Sequence, residues 1–209
     1  MSASGDGPVL RALRLADDPA TWQRLGFAVG ADGVCALGGV ELELVGTGQG
    51  RGLVGWRIEG VDPSAQLDGL PPAGGVDVTV PGDVPHPNGA VAVDHVVAAT
   101  PDVDRTLGAL GAAGLEPRRV RDAGDARQAF YVLRTALLEL AGPASPSGNG
   151  PARLWGLVVV VDDLDALAER LGGTLGTIRD AVQPGRRIAT LRQTAGVSTA
   201  LAFLTPRGV

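Results

Sequence analysis

The chain of 209 residues has no lysine, because all 18 of its basic residues are arginine. This absence excludes a lysine Schiff base and the lysine of a Walker-type phosphate-binding loop. The single cysteine, Cys35, excludes an internal disulfide and any zinc site built from several cysteines. Because Cys35 stands among small apolar residues, we expect it to be a buried hydrophobic residue rather than a nucleophile. Aromatic residues are scarce, so the core must consist of valine, leucine, alanine and isoleucine.

Basic residues are also fewer than acidic residues, 18 against 23. The formal net charge is −5 and the pI is near 5.0, which argues against general nucleic-acid binding. No apolar run approaches the roughly 20 residues that a membrane-spanning helix needs. The first eight residues lack the apolar segment of a secretory signal. We therefore expect a cytoplasmic protein with no membrane or nucleic-acid partner.

A pattern of one strand, one helix and two or three further strands occurs twice. The first copy, residues 91–142, opens with a strand-like run that contains His95. The second copy, residues 155–206, repeats the order at a spacing of about 60 residues, as a duplicated unit does. Arg121-Asp122-Ala123 returns in it as Arg179-Asp180-Ala181. Since strands carry side chains on both faces, the two copies need each other to bury their apolar faces.

Residues 9–80 are expected to be degenerate copies of the same unit. The predicted strands are 9–15, 27–29, 34–37, 40–45, 53–58 and 76–80, with short helices at 19–25 and 62–68. Residues 81–90 are predicted to be a linker, and residues 91–206 a domain of two modules. No G-x-G-x-x-G turn follows a strand, and the runs are too short for a doubly wound parallel sheet. The predicted fold class is α+β.

The run Val93-Asp94-His95-Val96-Val97 and the run Leu138-Glu139-Leu140, with their echo at 155–206, resemble the vicinal oxygen chelate superfamily. This superfamily includes glyoxalase I, the bleomycin resistance proteins and the extradiol dioxygenases. The resemblance implies an α+β fold of repeated βαβββ modules that pair into curled, half-barrel mixed sheets. It also implies a small-molecule ligand and, because paired units of this kind often form dimers, a homodimer.

The resemblance further implies a divalent metal ion, held by a histidine of each module's first strand and a glutamate of its last strand. His95 and Glu139 occupy these positions in the first copy, whereas Gly156 and Ala202 occupy them in the second and cannot ligate a metal. In the N-terminal region the histidine position falls near Leu10 and then on Gly55, while Glu43 matches the glutamate position. The expected metal site is therefore incomplete, and the metal weakly held or absent. The alternative for His95 is a strand histidine that hydrogen-bonds to a neighbour and lines the cavity.

The arginines offer another way to bind a ligand. Arg121 and Arg179 form the repeated pair, and Gln183 and Arg187 belong to a polar turn of the second copy. Guanidinium groups suit carboxylate or phosphate groups in a concave site. The alternative is that these arginines are solvated strand residues paired with nearby aspartates.

Residues and resemblance together predict a protein that binds a small oxygenated, anionic metabolite. The chemistry expected is proton abstraction next to a carbonyl, with Glu139 as base and His95 orienting a carbonyl oxygen or holding a metal. Such a protein is a metal-assisted lyase, isomerase or dioxygenase. The alternatives are a non-catalytic, ligand-sequestering protein of the bleomycin-resistance kind and an accessory protein with a decayed site.

Overall fold

The structure, a computed structural model, describes residues 7–74 and 84–208. The N-terminal region contains strands β1 (Val9–Leu15), β2 (Val34–Leu37), β3 (Val40–Leu44) and β4 (Leu53–Glu59), and helix α1 (Pro19–Arg24). The first repeat contains β5 (Ala90–Ala99), α2 (Val103–Ala112), β6 (Arg119–Ala123), β7 (Ala126–Val132) and β8 (Leu137–Pro143). The second repeat contains β9 (Arg153–Val161), α3 (Leu164–Leu171), β10 (Arg179–Asp180), β11 (Arg187–Thr190) and β12 (Ala200–Leu204). Among the described residues, no helix has both the length and the apolar character needed to cross a membrane.

The two repeats share one eight-stranded mixed sheet in the order β10-β11-β12-β9-β5-β8-β7-β6. In each repeat the first strand runs parallel to the last strand. The two first strands, β5 and β9, pair antiparallel at the centre of the sheet. The sheet curls until its edge strands β6 and β10 line the same cavity. The predicted fold class, α+β with βαβββ modules paired into a curled half-barrel, is therefore confirmed.

Both repeat helices begin at an aspartate that follows the first strand. The Asp102 side chain accepts from the backbone N–H of Arg105, and the Asp163 side chain accepts from the backbone N–H groups of Asp165 and Ala166. Such caps satisfy amide groups that have no partner within the helix. The strands that carry the strongest apolar runs, β5 and β9, contribute fully buried residues to the core.

The two central strands each contain a β-bulge at an equivalent place. Asp94 is the extra residue in β5, because Val93 pairs with Val159 and His95 already pairs with Val158. Trp155 is the extra residue in β9, since the pairing there passes from Gly156 to Leu154. A bulge of this kind redirects the neighbouring side chains and increases the local twist. The residue after the bulge is His95 in the first repeat and Gly156 in the second.

The N-terminal sheet, in the order β2-β3-β1-β4, repeats the arrangement β7-β8-β5-β9. Its bulges also recur, at Arg11 in β1 and at Val54 in β4. With this register Ala12 occupies the position of His95, two residues beyond the expected Leu10. Glu43 pairs with Arg14 as Glu139 pairs with Val97, so Glu43 does match Glu139 as expected. The proposed boundaries 9–80, 81–90 and 91–206 stay a prediction.

A buried carboxylate joins the N-terminal region to the second repeat. Asp17 is 1% exposed and accepts hydrogen bonds from Ser198 Oγ and Thr199 Oγ1, both at 2.7 Å. It also accepts from the indole N–H of Trp22. Phe27 stacks on Phe203 of the second repeat, with ring centroids 6.2 Å apart. The hydrophobic core is consequently continuous between the two regions.

Three expectations about local structure differ from the result or lie beyond it. Residues 62–68 form no helix, because the Asp62 carboxylate accepts from the Ser64 amide and hydroxyl and closes a turn instead. Residues 27–29 form no strand, since the amide of Ala28 donates to the ring of His86. The predicted strand 76–80 lies outside the described residues. Cys35 is fully buried, and burial raises the pKa of its thiol to about 12, in keeping with a hydrophobic role.

Candidate functional site

A cavity of about 640 Å³ lies inside the curl of the eight-stranded sheet. Its first-repeat wall consists of His95, Arg119, Arg121, Gln128, Phe130 and Glu139. Its second-repeat wall consists of Arg179, Asp180, Ala181, Val182, Gln183, Pro184, Ile188 and Leu204. Five of the six residues predicted from the sequence to form the site are therefore brought together, and both repeats contribute to it.

His95 and Glu139 lie on neighbouring strands of the cavity wall. Strands β5 and β8 run parallel with Val97 opposite Glu139, so His95 is two residues away on the same face of the sheet. The distance from His95 Nε2 to Glu139 Oε2 is 3.6 Å. That separation is too long for a direct hydrogen bond. Both side chains line the cavity, so both are accessible to a ligand there.

Glu139 is oriented by a chain of side chains from the β6–β7 hairpin. Gln128 Nε2 donates to Glu139 Oε1 at 2.5 Å, and Arg121 Nε donates to Gln128 Oε1 at 2.8 Å. The Arg121 guanidinium also lies over the Phe130 ring, 5.4 Å from its centroid. One carboxylate oxygen of Glu139 is thus fixed, and the other faces His95.

His95 is oriented from behind by an aspartate and by an arginine of the other repeat. Asp94 Oδ2 lies 2.7 Å from His95 Nδ1, a contact between adjacent residues that the bulge makes possible. Arg186 NH1 donates to Asp94 Oδ1 at 2.7 Å, and Arg186 Nε donates to the carbonyl oxygen of Thr205. Arg186 is only 3% exposed. The histidine of the first repeat therefore depends on a buried arginine of the second.

The pKa of Asp94 is set by opposing effects. Burial by itself raises the pKa of this carboxyl, but the hydrogen bonds from His95 and Arg186 and the positive charge of Arg186 outweigh it. The net result is a lowered pKa, so Asp94 is ionised at neutral pH and acts as an acceptor only.

The arginines divide into those of the cavity and one outside it. Arg179 lines the cavity from β10, and Arg119 and Arg121 line it from β6. Within residues 7–74 and 84–208, the side chains of Arg119 and Arg179 form no hydrogen bond or ion pair. Arg187 is not among the lining residues, because its guanidinium makes a two-pronged contact with Asp165 of α3 on the outer side. The cavity thus keeps cationic groups free for an anion.

The residues of the cavity do not fit a resident divalent metal. The register that pairs Glu139 with Val97 pairs Ala202 with Val158, so Gly156 and Ala202 stand at the other two ligand positions. A Cβ atom at Gly156 would approach the carbonyl oxygen of Ala200 at 3.1 Å. In the part of the chain that the structure describes, no three His, Cys, Asp or Glu residues cluster as a metal site requires. Weak metal binding by His95 and Glu139 remains a prediction.

Several site residues were not singled out from the sequence. Asp94, Gln128 and Phe130 lacked a family position to match, although Asp94 is directly adjacent to His95. Arg186 is directly adjacent to Arg187, and the sequence does not show which member of the pair turns inward. Only the register of the strands separates the two.

No protein-family model and no curated protein matches the sequence. Among solved structures, the methylmalonyl-CoA epimerase of Mycobacterium tuberculosis has 20% identity and a TM-score of 0.47, over 57% of this chain and 91% of its own. A variant of the Streptomyces coelicolor epimerase, in complex with 2-nitronate-propionyl-CoA, has 19% identity and a TM-score of 0.45, over 57% and 99%. A hypothetical protein of Bacillus halodurans has 14% identity and a TM-score of 0.45, over 56% and 95%.

A likeness of this size concerns the fold alone and assigns neither substrate nor activity to this chain.

Proposed function

We propose that the cavity binds a small, oxygenated, anionic metabolite and that Glu139 removes a proton next to a carbonyl group of it. The observation that carries the proposal is the placement of Arg121 and Arg179 on opposite walls of one cavity that also holds Glu139 and His95. A guanidinium group on each edge of the sheet attracts an anion from two sides. Between them lies a carboxylate with one oxygen directed into the cavity.

The proposed roles follow from the hydrogen bonds of each group. Gln128 holds Glu139 Oε1, which leaves Oε2 to take the proton from carbon. The negative charge that develops on the carbonyl oxygen is stabilised by a guanidinium group, for which Arg121 is placed by Gln128 and Phe130. His95 orients a second oxygen of the ligand. A positioned base of this kind contributes roughly 10²- to 10⁴-fold to a rate.

A second candidate function is ligand sequestration without catalysis. The observation in its favour is that Gly156 and Ala202 stand at two metal-ligand positions and have no side chain that can bind a metal. The cavity and its arginines do not depend on these two positions. Both functions require anion binding, and only the first requires Glu139.

Calorimetry against dicarboxylates, keto acids and acyl thioesters tests the anion site. A charge-assisted hydrogen bond contributes about 1.5–3 kcal/mol, so Arg121→Ala and Arg179→Ala are each expected to weaken binding about ten- to a hundred-fold. Arg187→Ala is the matched control, since it removes an arginine from the neighbouring strand β11, where the side chain lies on the outer side of the sheet. If a bound anion is weakened less than about two-fold by both cavity variants, the arginines are not the anion site.

Catalysis is separated from sequestration by proton exchange. The bound ligand is incubated in D₂O, and deuterium at the carbon beside its carbonyl is followed by NMR. Catalysis requires exchange with the wild type and its loss with Glu139→Gln, both measured at saturating ligand. Exchange with the wild type no faster than in buffer would leave sequestration as the function, and equal exchange with both proteins would show that Glu139 is not the base.

A further inference from the structure

We infer that Arg186, Asp94 and His95 form a triad across the two repeats that presents His95 Nε2 to the ligand as a hydrogen-bond acceptor, so that the cavity takes a hydroxycarboxylate. The inference rests on the proposed function, because it identifies the class of anion that the same cavity binds. His95 and Glu139 would receive the hydroxyl group, and the guanidinium groups the carboxylate.

The hydrogen bonds of Asp94 determine which ring nitrogen of His95 carries the hydrogen. Asp94 is bound by Arg186 NH1 through one oxygen and by His95 Nδ1 through the other, both at 2.7 Å. A carboxylate in an ion pair has no proton to donate, so Nδ1 must carry the hydrogen. In the neutral imidazole this leaves Nε2 with a free electron pair. Asp94 and Arg186 are thus positioning residues, and His95 is the group that touches the ligand.

The neighbours of His95 Nε2 determine which ligand group can form a hydrogen bond with it. Glu139 Oε2 is 3.6 Å away, and it is an acceptor as well. Two acceptors side by side offer no donor to a carbonyl oxygen, whereas a hydroxyl group can donate to either of them. The guanidinium groups of the cavity wall, from Arg119, Arg121 and Arg179, belong to its two edges. The ligand therefore needs a hydroxyl group at the centre of the sheet and a carboxylate towards an edge.

The cavity has room for more than the hydroxyl and carboxylate groups of the ligand. The cavity of about 640 Å³ exceeds the volume of a two- or three-carbon hydroxy acid, and part of its wall is apolar. Phe130, Ile188 and Leu204 provide that apolar surface. A hydroxycarboxylate with an apolar substituent therefore matches the two central acceptors, the guanidinium groups and the apolar part of the wall.

The tautomer of His95 is measured directly by long-range ¹⁵N–¹H NMR on the labelled wild-type protein at mildly alkaline pH. The chain has only two histidines. His86 is the internal control, because its Nδ1 accepts from the Ala28 amide and its Nε2 must donate to the Ala36 carbonyl oxygen. The spectrum should contain one histidine of each tautomer. Two Nε2–H histidines, or a doubly protonated His95, would overturn the inference.

Asp94→Asn should convert His95 to the Nε2–H form and leave the His86 signals in place. Arg186→Met should broaden or shift the His95 signals, and Arg187→Met should leave them unchanged. The wild-type spectrum decides the tautomer even where a variant fails to fold.

The ligand class is tested with 3-phenyllactate and 3-phenylpropionate, which differ by one hydroxyl group. Calorimetry should show about ten-fold tighter binding of 3-phenyllactate to the wild type, and His95→Ala should reduce this preference to within about two-fold. Equal binding of the two acids by the wild type contradicts the inference and leaves the proposed anion site intact. Binding of neither acid at about 10 mM contradicts both the inference and the proposed function.

Discussion

Asp94 is the residue on which most of the polar geometry of the cavity depends. It is the extra residue of a bulge, it contacts the ring of the next residue, and it neutralises a buried arginine of the other repeat. A buried charge that loses its partner costs more free energy than a surface charge does. Substitution at this position should therefore affect both the stability and the orientation of His95.

The pH dependence of stability provides a prediction for Asp94. Its folded-state pKa is lowered, so its contribution to stability is fully present above its ordinary pKa of about 3.9 and is lost as the pH falls through the folded-state pKa. Asp94→Asn should lower the free energy of unfolding by about 3 kcal/mol at pH 7. The difference from the wild type should shrink below about pH 4.

Urea unfolding at a series of pH values checks this expectation. Asp165→Asn is the control, since Asp165 pairs with Arg187 on the surface, and such pairs contribute little. A loss of stability that is the same at pH 3 and pH 7 would show that Asp94 does not act through its charge.

At the scale of elements, apolar runs predicted the strands that matter most. β5 and β9 are visible in the sequence because both are buried and rich in valine. β6 has no such signal, since Arg119–Ala123 is an edge strand with four exposed positions out of five. The prediction of a helix at 62–68 was wrong because the side chain of Asp62 closes a turn there.

The candidate site could be predicted only in part for a related reason. A one-residue change of register turns every side chain of a strand to the opposite face. The bulge at Asp94 is such a change, and the sequence carries no sign of it. His95 and Glu139 were found by resemblance, whereas their partners Arg186 and Gln128 depend on register.

Two glycines give opposite predictions for the same substitution. Gly156→Ala places a Cβ 3.1 Å from the backbone oxygen of Ala200, so it should destabilise the protein by about 1 kcal/mol. Gly108→Ala, in α2, meets no atom within 4 Å and should stabilise it by about 0.5–1 kcal/mol. The midpoints of urea unfolding measure both. A Gly156→Ala variant as stable as the wild type would mean that this position is open to a side chain.

At the scale of the whole molecule, the N-terminal sheet is fixed to the second repeat through Asp17. Removal of its carboxylate leaves the backbone amide of Ser198 and the hydroxyl group of Thr199 without their acceptor, so Asp17→Ala should destabilise the protein by about 3 kcal/mol. Asp18→Ala, which removes only the cap of α1, should cost about 1 kcal/mol.

Thermal unfolding followed at two wavelengths checks this prediction, since the tryptophan signal includes Trp22 beside Asp17. The wild type should unfold in one transition because its core is continuous. An Asp17→Ala variant no less stable than Asp18→Ala would show that the two regions are held together elsewhere.

The contact between Arg186 and Asp94 has a consequence for how such a duplicated gene can change. When a module is duplicated within one chain, one copy can normally lose its catalytic residues while the other copy retains them. Here the second copy has no ligand side chains of its own at Gly156 and Ala202, yet its arginine orients the histidine of the first. At this contact the two repeats therefore cannot change independently.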